Sequence, residues 1–167
     1  MMRIKFSEID DALDFKEFAC GNDEIDDFLI NKARINNKTK FSKIYTFTTI
    51  EDNRIIAYFT LSASQCNVGD ARIFGKNNLP ATLLGQLGVD NKYKGRNLGK
   101  KMISLALEKA YQASKIVASR LLLVETPAVN REYYLHKIHM GFQILKSDKK
   151  RNLDILYIDL LKYEKTE

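Results

Sequence analysis

Gln86-Leu87-Gly88-Val89-Asp90-Asn91-Lys92-Tyr93-Lys94-Gly95-Arg96-Asn97-Leu98-Gly99-Lys100-Lys101-Met102 is the stretch that decides the reading of this chain. Leu83, Leu84, Leu87 and Val89 make a short apolar strand, expected over Thr82–Val89. Asp90–Asn97 is a turn rich in Lys, Arg, Gly and Asn, and Leu98 opens a helix. A strand passing through a glycine-bearing basic turn into a helix points unpaired backbone N–H groups at an anion. Lys92, Lys94, Arg96, Lys100 and Lys101 crowd that helix start. Positive charge there opposes the helix dipole, at a cost of about 0.3–1 kcal/mol for each group. A bound phosphate resolves the conflict. The glycines Gly95 and Gly99 fit neither a Walker P-loop nor a Gly-x-Gly-x-x-Gly dinucleotide turn, so position and charge carry the argument.

Around this stretch the pattern is mixed. Arg3–Ile9 is expected as a strand and Asp10–Phe18 as a short helix. Asn22, Asp23 and Glu24 mark a second helix start, with Ile25, Phe28, Leu29 and Ala33 at helical spacing. Asn36–Ser42 reads as a loop. Lys43–Ile50 and Arg54–Gln65 are strands joined by the hairpin signal Glu51-Asp52-Asn53. The second is apolar on both faces, which implies cover on both sides. Asn67–Pro80 reads as a surface loop and a candidate substrate entrance. Leu98–Ala118 is a long helix with Leu98, Met102, Leu105, Ala106, Ala113 and Val117 as its apolar stripe. Leu121–Glu125 is a buried strand. Val129–Met140 is a helix that starts after Pro127 and ends at Gly141. Phe142–Lys146 and Leu153–Leu161 close the chain as a pair of strands around the basic tip Lys149-Lys150-Arg151. The order β-α-α-β-β-β-α-β-α-β-β contains one right-handed β-α-β unit. It predicts an α+β, three-layer fold with a mixed, mostly antiparallel sheet of about seven strands and helices on both faces.

With 167 residues, 45% hydrophobic and 29% charged, the chain reads as one domain spanning 1–167. No apolar run approaches the ~20 residues of a membrane span, and the first ten residues lack a secretory apolar core. A cytoplasmic protein is expected. Cys20 and Cys66 have no metal-ligand spacing and read as reduced thiols, so no metal is expected. The net charge of +6 fits a phosphate-bearing ligand or nucleic acid, and equally a basic solvated surface.

At Lys94-Gly95-Arg96-Asn97-Leu98-Gly99 the chain resembles the GNAT family of acetyl-CoA-dependent N-acetyltransferases, whose pattern is Gln/Arg-x-x-Gly-x-Gly/Ala. Lys94 replaces Gln or Arg, and Asn97 replaces the middle Gly. Three further stretches resemble the toxin-type subgroup. They are Phe18-Ala19-Cys20-Gly21 followed by Ile25-Asp26-Asp27-Phe28-Leu29, then Ile56-Ala57-Tyr58-Phe59-Thr60-Leu61-Ser62, then Leu83-Leu84-Gly85-Gln86-Leu87-Gly88-Val89-Asp90. The resemblance implies a GNAT fold with acetyl-CoA as co-substrate. It implies that the backbone of Leu87, Gly88 and Val89 pairs with the pantetheine arm. The amides of Lys94, Gly95, Arg96, Asn97, Leu98 and Gly99, with Lys100, hold the pyrophosphate, and Asn130 binds further along the cofactor. The implied acceptor is the amine of aminoacyl-tRNA, and the implied partners are a ribbon-helix-helix antitoxin and a second copy in a homodimer.

Acetyl transfer needs a neutral amine, donors for the oxyanion and a proton for the leaving thiolate. The family tyrosine that supplies that proton falls here on Lys137, with His136 before it. Tyr134 lies four residues after Asn130 and three before Lys137, so all three are expected to share one helix face. Tyr134 is the candidate general acid, with Lys137, His136 or water as alternatives. Tyr133 reads as packing. No general base stands out: Glu125 reads as a solvated strand-end carboxylate and His139 as a surface or packing histidine. The basic residues Arg34, Lys38, Lys40, Lys43, Lys146, Lys149, Lys150 and Arg151 lie outside the cofactor turn and suit RNA phosphates. Two other readings stand beside the tRNA toxin: a GNAT enzyme for a small amine or protein amine, and an inactive acyl-CoA-binding module.

Overall fold

A computed structural model of the protein describes residues 2–67 and 75–163. Seven strands form one mixed sheet in the order β1-β2-β3-β4-β5-β7-β6. The strands are β1 (Ile4–Glu8), β2 (Lys43–Thr49), β3 (Ile55–Asn67), β4 (Asn78–Val89), β5 (Leu121–Pro127), β6 (Gln143–Asp148) and β7 (Leu153–Asp159). β4 and β5 are parallel and are joined through a long helix, α3 (Leu98–Ser114), which is the expected β-α-β unit. β1–β2, β2–β3, β5–β7 and β6–β7 are antiparallel. The α+β class and the mixed seven-stranded sheet therefore stand as expected. Of the expected loop Asn67–Pro80, residues 68–74 lie outside the described residues, and its last residues, Asn78 to Pro80, already belong to β4.

By contacts the chain divides into two compact units. The first comprises Met1–Ser62 and Gly85–Ile103. Its core gathers Ile9, Leu13, Phe15, Phe18, Cys20, Leu29, Ala33, Ile44, Ile55 and Tyr58, with Ile25 and Phe28 packed against them. The segment Asp10–Phe18 is not a helix. Asp10 and Asp14 each accept the amide two residues on, at 2.8 and 3.1 Å, which closes tight turns in place of a helical ladder. The backbone of Asp14 instead meets Asn53 and Ile55. The helix after Asn22 runs as α1 (Asp23–Asp27), a π turn (Phe28–Lys32) and α2 (Ala33–Lys38). Asn22 caps α1 as expected, accepting from the amides of Glu24 and Ile25. The helix also consumes the first half of the expected loop Asn36–Ser42.

Tyr58 explains the interruption. It is fully buried on β3, and its hydroxyl donates at 2.6 Å to the carbonyl of Ile25, a member of the helix's own ladder. A side chain inserted into the ladder accompanies a local change to π geometry. Its ring lies parallel to Phe28 and edge-on to Phe18. Ile55–Leu61 of β3 is buried at every position, as an apolar run covered on both sides requires.

The second unit comprises Ala63–Leu84 and Ser104–Glu167. Cys66, Leu79, Ala81, Leu121, Leu123 and Tyr157 form its core. Arg120 grips Asp159 through two hydrogen bonds of 2.7 and 3.0 Å. Arg131 grips the fully buried Asp154 at 2.7 and 2.8 Å, and the Ser147 hydroxyl donates to the same carboxylate. Helix α3 contributes to both units, with Leu98, Met102, Ile103, Ala106, Leu107 and Ala110 buried along it. The expected stripe was wrong at its C-terminal end. The helix stops at Ser114, whose hydroxyl donates to the Tyr111 carbonyl. Ala113 is exposed and Val117 is 73% exposed.

Gly88 has no room for a side chain. A Cβ there would stand 2.8 Å from Ile25 Cγ2, 3.2 Å from Phe18 Cζ and 3.3 Å from Tyr58 Cε1. Gly88→Ala is expected to lower the free energy of urea unfolding by about 1–3 kcal/mol through overpacking; an unchanged midpoint would show that the α1 region yields freely.

Candidate active site

β4 leads straight into the basic turn. Its register with β5 runs from Ala81–Leu121 to Leu84–Val124, so Leu87, Gly88 and Val89 extend beyond the last pair. Asp90 then caps a 3-10 turn, Asn91–Tyr93. Gly95 and Asn97 take φ values of +78° and +57°, the left-handed region. Asn97 stands where the family pattern has glycine, and Asn tolerates that region better than most residues. The amide of Lys101 donates to the Asn97 carbonyl at 3.1 Å. The amides of Leu98, Gly99 and Lys100 precede that bond and have no place in the helical ladder. The first turn of α3 contains no acidic residue. Lys92, Arg96, Lys100 and Lys101 are exposed around it, with the Arg96 guanidinium 5.5 Å from the centre of the Tyr93 ring. The turn is therefore a set of aimed donors inside a ring of positive charge, which suits a phosphate group.

Lys94 is placed differently from its neighbours. Its amide donates to the Asn91 carbonyl at 3.5 Å and its ammonium to the Cys20 carbonyl at 2.6 Å. Asp90 is 4% exposed and accepts from the amides of Ala19 at 3.2 Å and Lys92 at 2.9 Å. The sequence reading passed over Asp90. An Asp directly after an apolar strand and before a turn is a recognised signal for a side chain that caps the turn's backbone.

The expected helix Val129–Met140 is a composite. A 3-10 turn (Ala128–Asn130) leads into a π turn (Tyr133–Lys137), closed by the Ile138 amide on the Tyr133 carbonyl. Residues three and four apart stay aligned only on a uniform α-helix. The common face expected for Asn130, Tyr134 and Lys137 is accordingly absent. Asn130 and Lys137 are exposed, and Tyr134 is buried. Asn130 donates to the Thr126 hydroxyl at 3.2 Å. Tyr134 stands edge-to-face with Phe142 and Tyr133, and its hydroxyl has no hydrogen-bond partner among the described residues. Burial pushes its phenol above the ordinary range, and burial does the same for Tyr133. His136 is exposed, 3.9 Å from the Glu132 carboxylate. Glu125 is exposed as expected, but it pairs with Ile155 inside β5, which continues to Pro127. His139 is exposed, with a left-handed φ of +52°.

No family model matches the chain. It is 30% identical over 144 residues to a tRNA-acetylating toxin of Mycobacterium tuberculosis, covering 84% of each chain. This chain belongs to the toxin-type GNAT N-acetyltransferases. Solved toxins share its fold. AtaT complexed with acetyl-methionyl-tRNAfMet superposes with a TM-score of 0.80 at 19% identity, over 94% of this chain and 95% of that one. A tyrosine-to-phenylalanine mutant of AtaT, bound to the C-terminus of the antitoxin AtaR and acetyl-CoA, gives 0.75 at 22% identity, over 95% and 94%.

The basic residues outside the turn divide into two groups in this acetyltransferase. Arg34 donates to the carbonyls of Asp11 and Leu13 and lies over the Phe15 ring at 4.2 Å. Lys43 pairs with Glu8 at 2.9 Å. Both hold the fold. Lys38, Lys40, Lys146, Lys149, Lys150 and Arg151 are exposed. No helix of the described residues is long and apolar enough to cross a membrane.

Cys20 and Cys66 are free thiols, both buried. Burial, aided by the hydrogen bond with Asp26, pushes the Cys20 thiol from 9.0 up to about 11. The folded state thus prefers the protonated thiol. Its contribution to stability is complete below pH 9 and is lost as the pH rises toward 11. At pH 8 iodoacetamide is expected to alkylate Cys20 about 100-fold more slowly in the folded protein than in urea, because the thiolate fraction falls tenfold per unit. Equal rates, read by peptide mass spectrometry, would contradict this.

Proposed function

We propose that this acetyltransferase moves the acetyl group of acetyl-CoA onto the free amine of aminoacyl-tRNA. The observation that carries the reading is the 30% identity with a tRNA-acetylating toxin over a span covering 84% of each chain. The AtaT complexes with acetyl-CoA and with acetyl-methionyl-tRNAfMet support it. The amides from Gly95 to Lys100 take the pyrophosphate, where the left-handed turn and the helix start supply donors and surrounding charge. The amides and carbonyls of Leu87, Gly88 and Val89 pair with the pantetheine arm, and Asn130 binds further along the cofactor. Lys94 contributes at the base of the turn, since its amide and ammonium already have protein partners.

In the reaction the amine nitrogen attacks the thioester carbonyl and a new C–N bond forms. The C–S bond then breaks, the coenzyme leaves as a thiolate, and that sulfur receives a proton. Tyr134 is the proposed donor. Its buried phenol keeps its proton throughout the working range and has no competing partner among the described residues. Water accepts the proton lost by the attacking amine. The exposed lysines and Arg151 suit the phosphates of the acceptor. A ribbon-helix-helix antitoxin as partner, a homodimer as the assembled form and a cytoplasmic location belong to the same reading.

Purified protein with labelled acetyl-CoA and charged tRNA is expected to transfer label to the aminoacyl group; charged tRNA left unlabelled would end the proposal. Tyr134→Phe is expected to lower kcat by about 10²–10⁴-fold, the usual range for a lost general acid. Its unfolding free energy should stay within about 0.5 kcal/mol of the parent, since the hydroxyl has no partner to lose. A full kcat in this variant would remove Tyr134 as the donor and leave Lys137, His136 or water.

A further inference from the structure

We propose that Asp90 is a positioning residue for the donor site, which buckles the basic turn to Ala19 and Cys20, with Lys94 as the second fastening. The inference rests on the reading of this turn as the acetyl-CoA pyrophosphate site and assigns two of its residues to support.

The backbone of Ala19 and Cys20 is fully engaged. The Ala19 amide donates to Asp90 Oδ2 at 3.2 Å, and its carbonyl accepts from the Asn91 amide at 2.9 Å. The Cys20 amide donates to Asp26 Oδ1 at 2.9 Å, and its carbonyl accepts from Lys94 Nζ at 2.6 Å. Three side chains and one amide thus satisfy all four groups. Gly21 follows with φ +87°, and a Cβ there would lie 3.5 Å from the Asn91 side chain and 3.7 Å from Lys94 Nζ. The other Asp90 oxygen accepts from Lys92 at 2.9 Å, and the Asp90 amide donates to the Ile56 carbonyl at 2.9 Å. The buried carboxylate therefore joins the start of the turn to the chain before α1, and the Asp90 amide ties both to β3.

This fastening stops where the donors begin. Nothing lies within 4 Å of a Cβ built on Gly95. The turn is fixed at its base, residues 90–94, and free at the tip that would meet the phosphates. Orphan amides bind an anion well only if they are already aimed, because otherwise part of the interaction is spent on ordering them. Asp suits the task because both of its oxygens accept, whereas Asn would set an NH₂ group against one of the two amides. Lys94 spends one of its three ammonium donors on the Cys20 carbonyl at 2.6 Å, which holds that side chain at the base of the turn. The Phe18-Ala19-Cys20-Gly21 stretch that marks the subgroup in sequence thereby gains a physical role.

The test compares the full-length parent with Asp90→Asn, Asp90→Ala and Lys94→Met. Acetyl-CoA affinity is read by calorimetry, and steady-state kinetics are taken with both substrates varied. The KM and Kd for acetyl-CoA are expected to rise about tenfold in Asp90→Ala, the loss of roughly one charged hydrogen bond, and less in Asp90→Asn. The kcat at saturating acetyl-CoA and the KM for the acceptor are expected to stay within about twofold, since base and tip are separate. Lys94→Met is expected to weaken acetyl-CoA binding while leaving the slope of log Kd against log salt unchanged. A shallower slope would make Lys94 a direct phosphate contact and overturn its assignment. Unchanged acetyl-CoA affinity in folded Asp90→Asn and Lys94→Met would overturn the buckle, as would a fall in kcat with KM intact. Lys94 is exposed, so its variant remains informative if Asp90→Ala fails to fold. A parent that binds no acetyl-CoA sinks the cofactor reading itself; a parent that binds beside variants that bind equally sinks this inference alone.

Discussion

Positive charge gathered at the positive end of a helix is the tension around which the first unit is built. Four exposed cations surround the start of α3, and no acidic residue in its first turn answers them. Each opposes the dipole by a fraction of a kcal/mol, and the amides beneath them have no place in the ladder. Removing the acids makes the site selective for an incoming anion, since an internal carboxylate would occupy the same donors. Asp90 is turned to the base of the turn and spends both oxygens on backbone amides. Stability and binding thus draw on opposite ends of eight residues.

The second unit is held by a different device. Asp154 and Asp159 are both buried, and each meets an arginine through two hydrogen bonds. The arginines hold both carboxyls below the usual range, so their contribution is present above the ordinary carboxylate pKa and is lost as the pH falls through the lowered one. Arg131 belongs to the irregular segment that carries Asn130 and Tyr134. That segment alternates between 3-10 and π hydrogen bonding, so its own ladder is weak. Its place beside β7 is set by the ion pair.

Much of this was legible in the chain. β3 and β4 were readable because continuous apolar runs bounded by turn residues have few alternatives. The start of α3 was readable because its charges contradict an ordinary helix start. The Asn22 cap followed from side-chain chemistry alone. The failures share a cause. Asp10–Phe18 has helical spacing, yet Asp10 and Asp14 close local turns, and one hydrogen bond from a side chain outweighs a weak periodicity. The end of α3 was placed too late because Val117 continues the apolar spacing of the helix while lying exposed beyond Ser114. Around Tyr134, residues were counted as though each advanced the helix by the same angle. The cap of Asp90 on Lys92 follows from its place before a turn, whereas its bond to Ala19 spans 71 residues and no local pattern announces it.

Gly88 carries a historical consequence. Phe18, Ile25 and Tyr58 already fill the space where its side chain would stand. A descendant that gains a methyl group at 88 must shed volume at one of those three positions in the same lineage, and neither change is neutral alone. This corner is therefore expected to drift slowly and in coupled pairs.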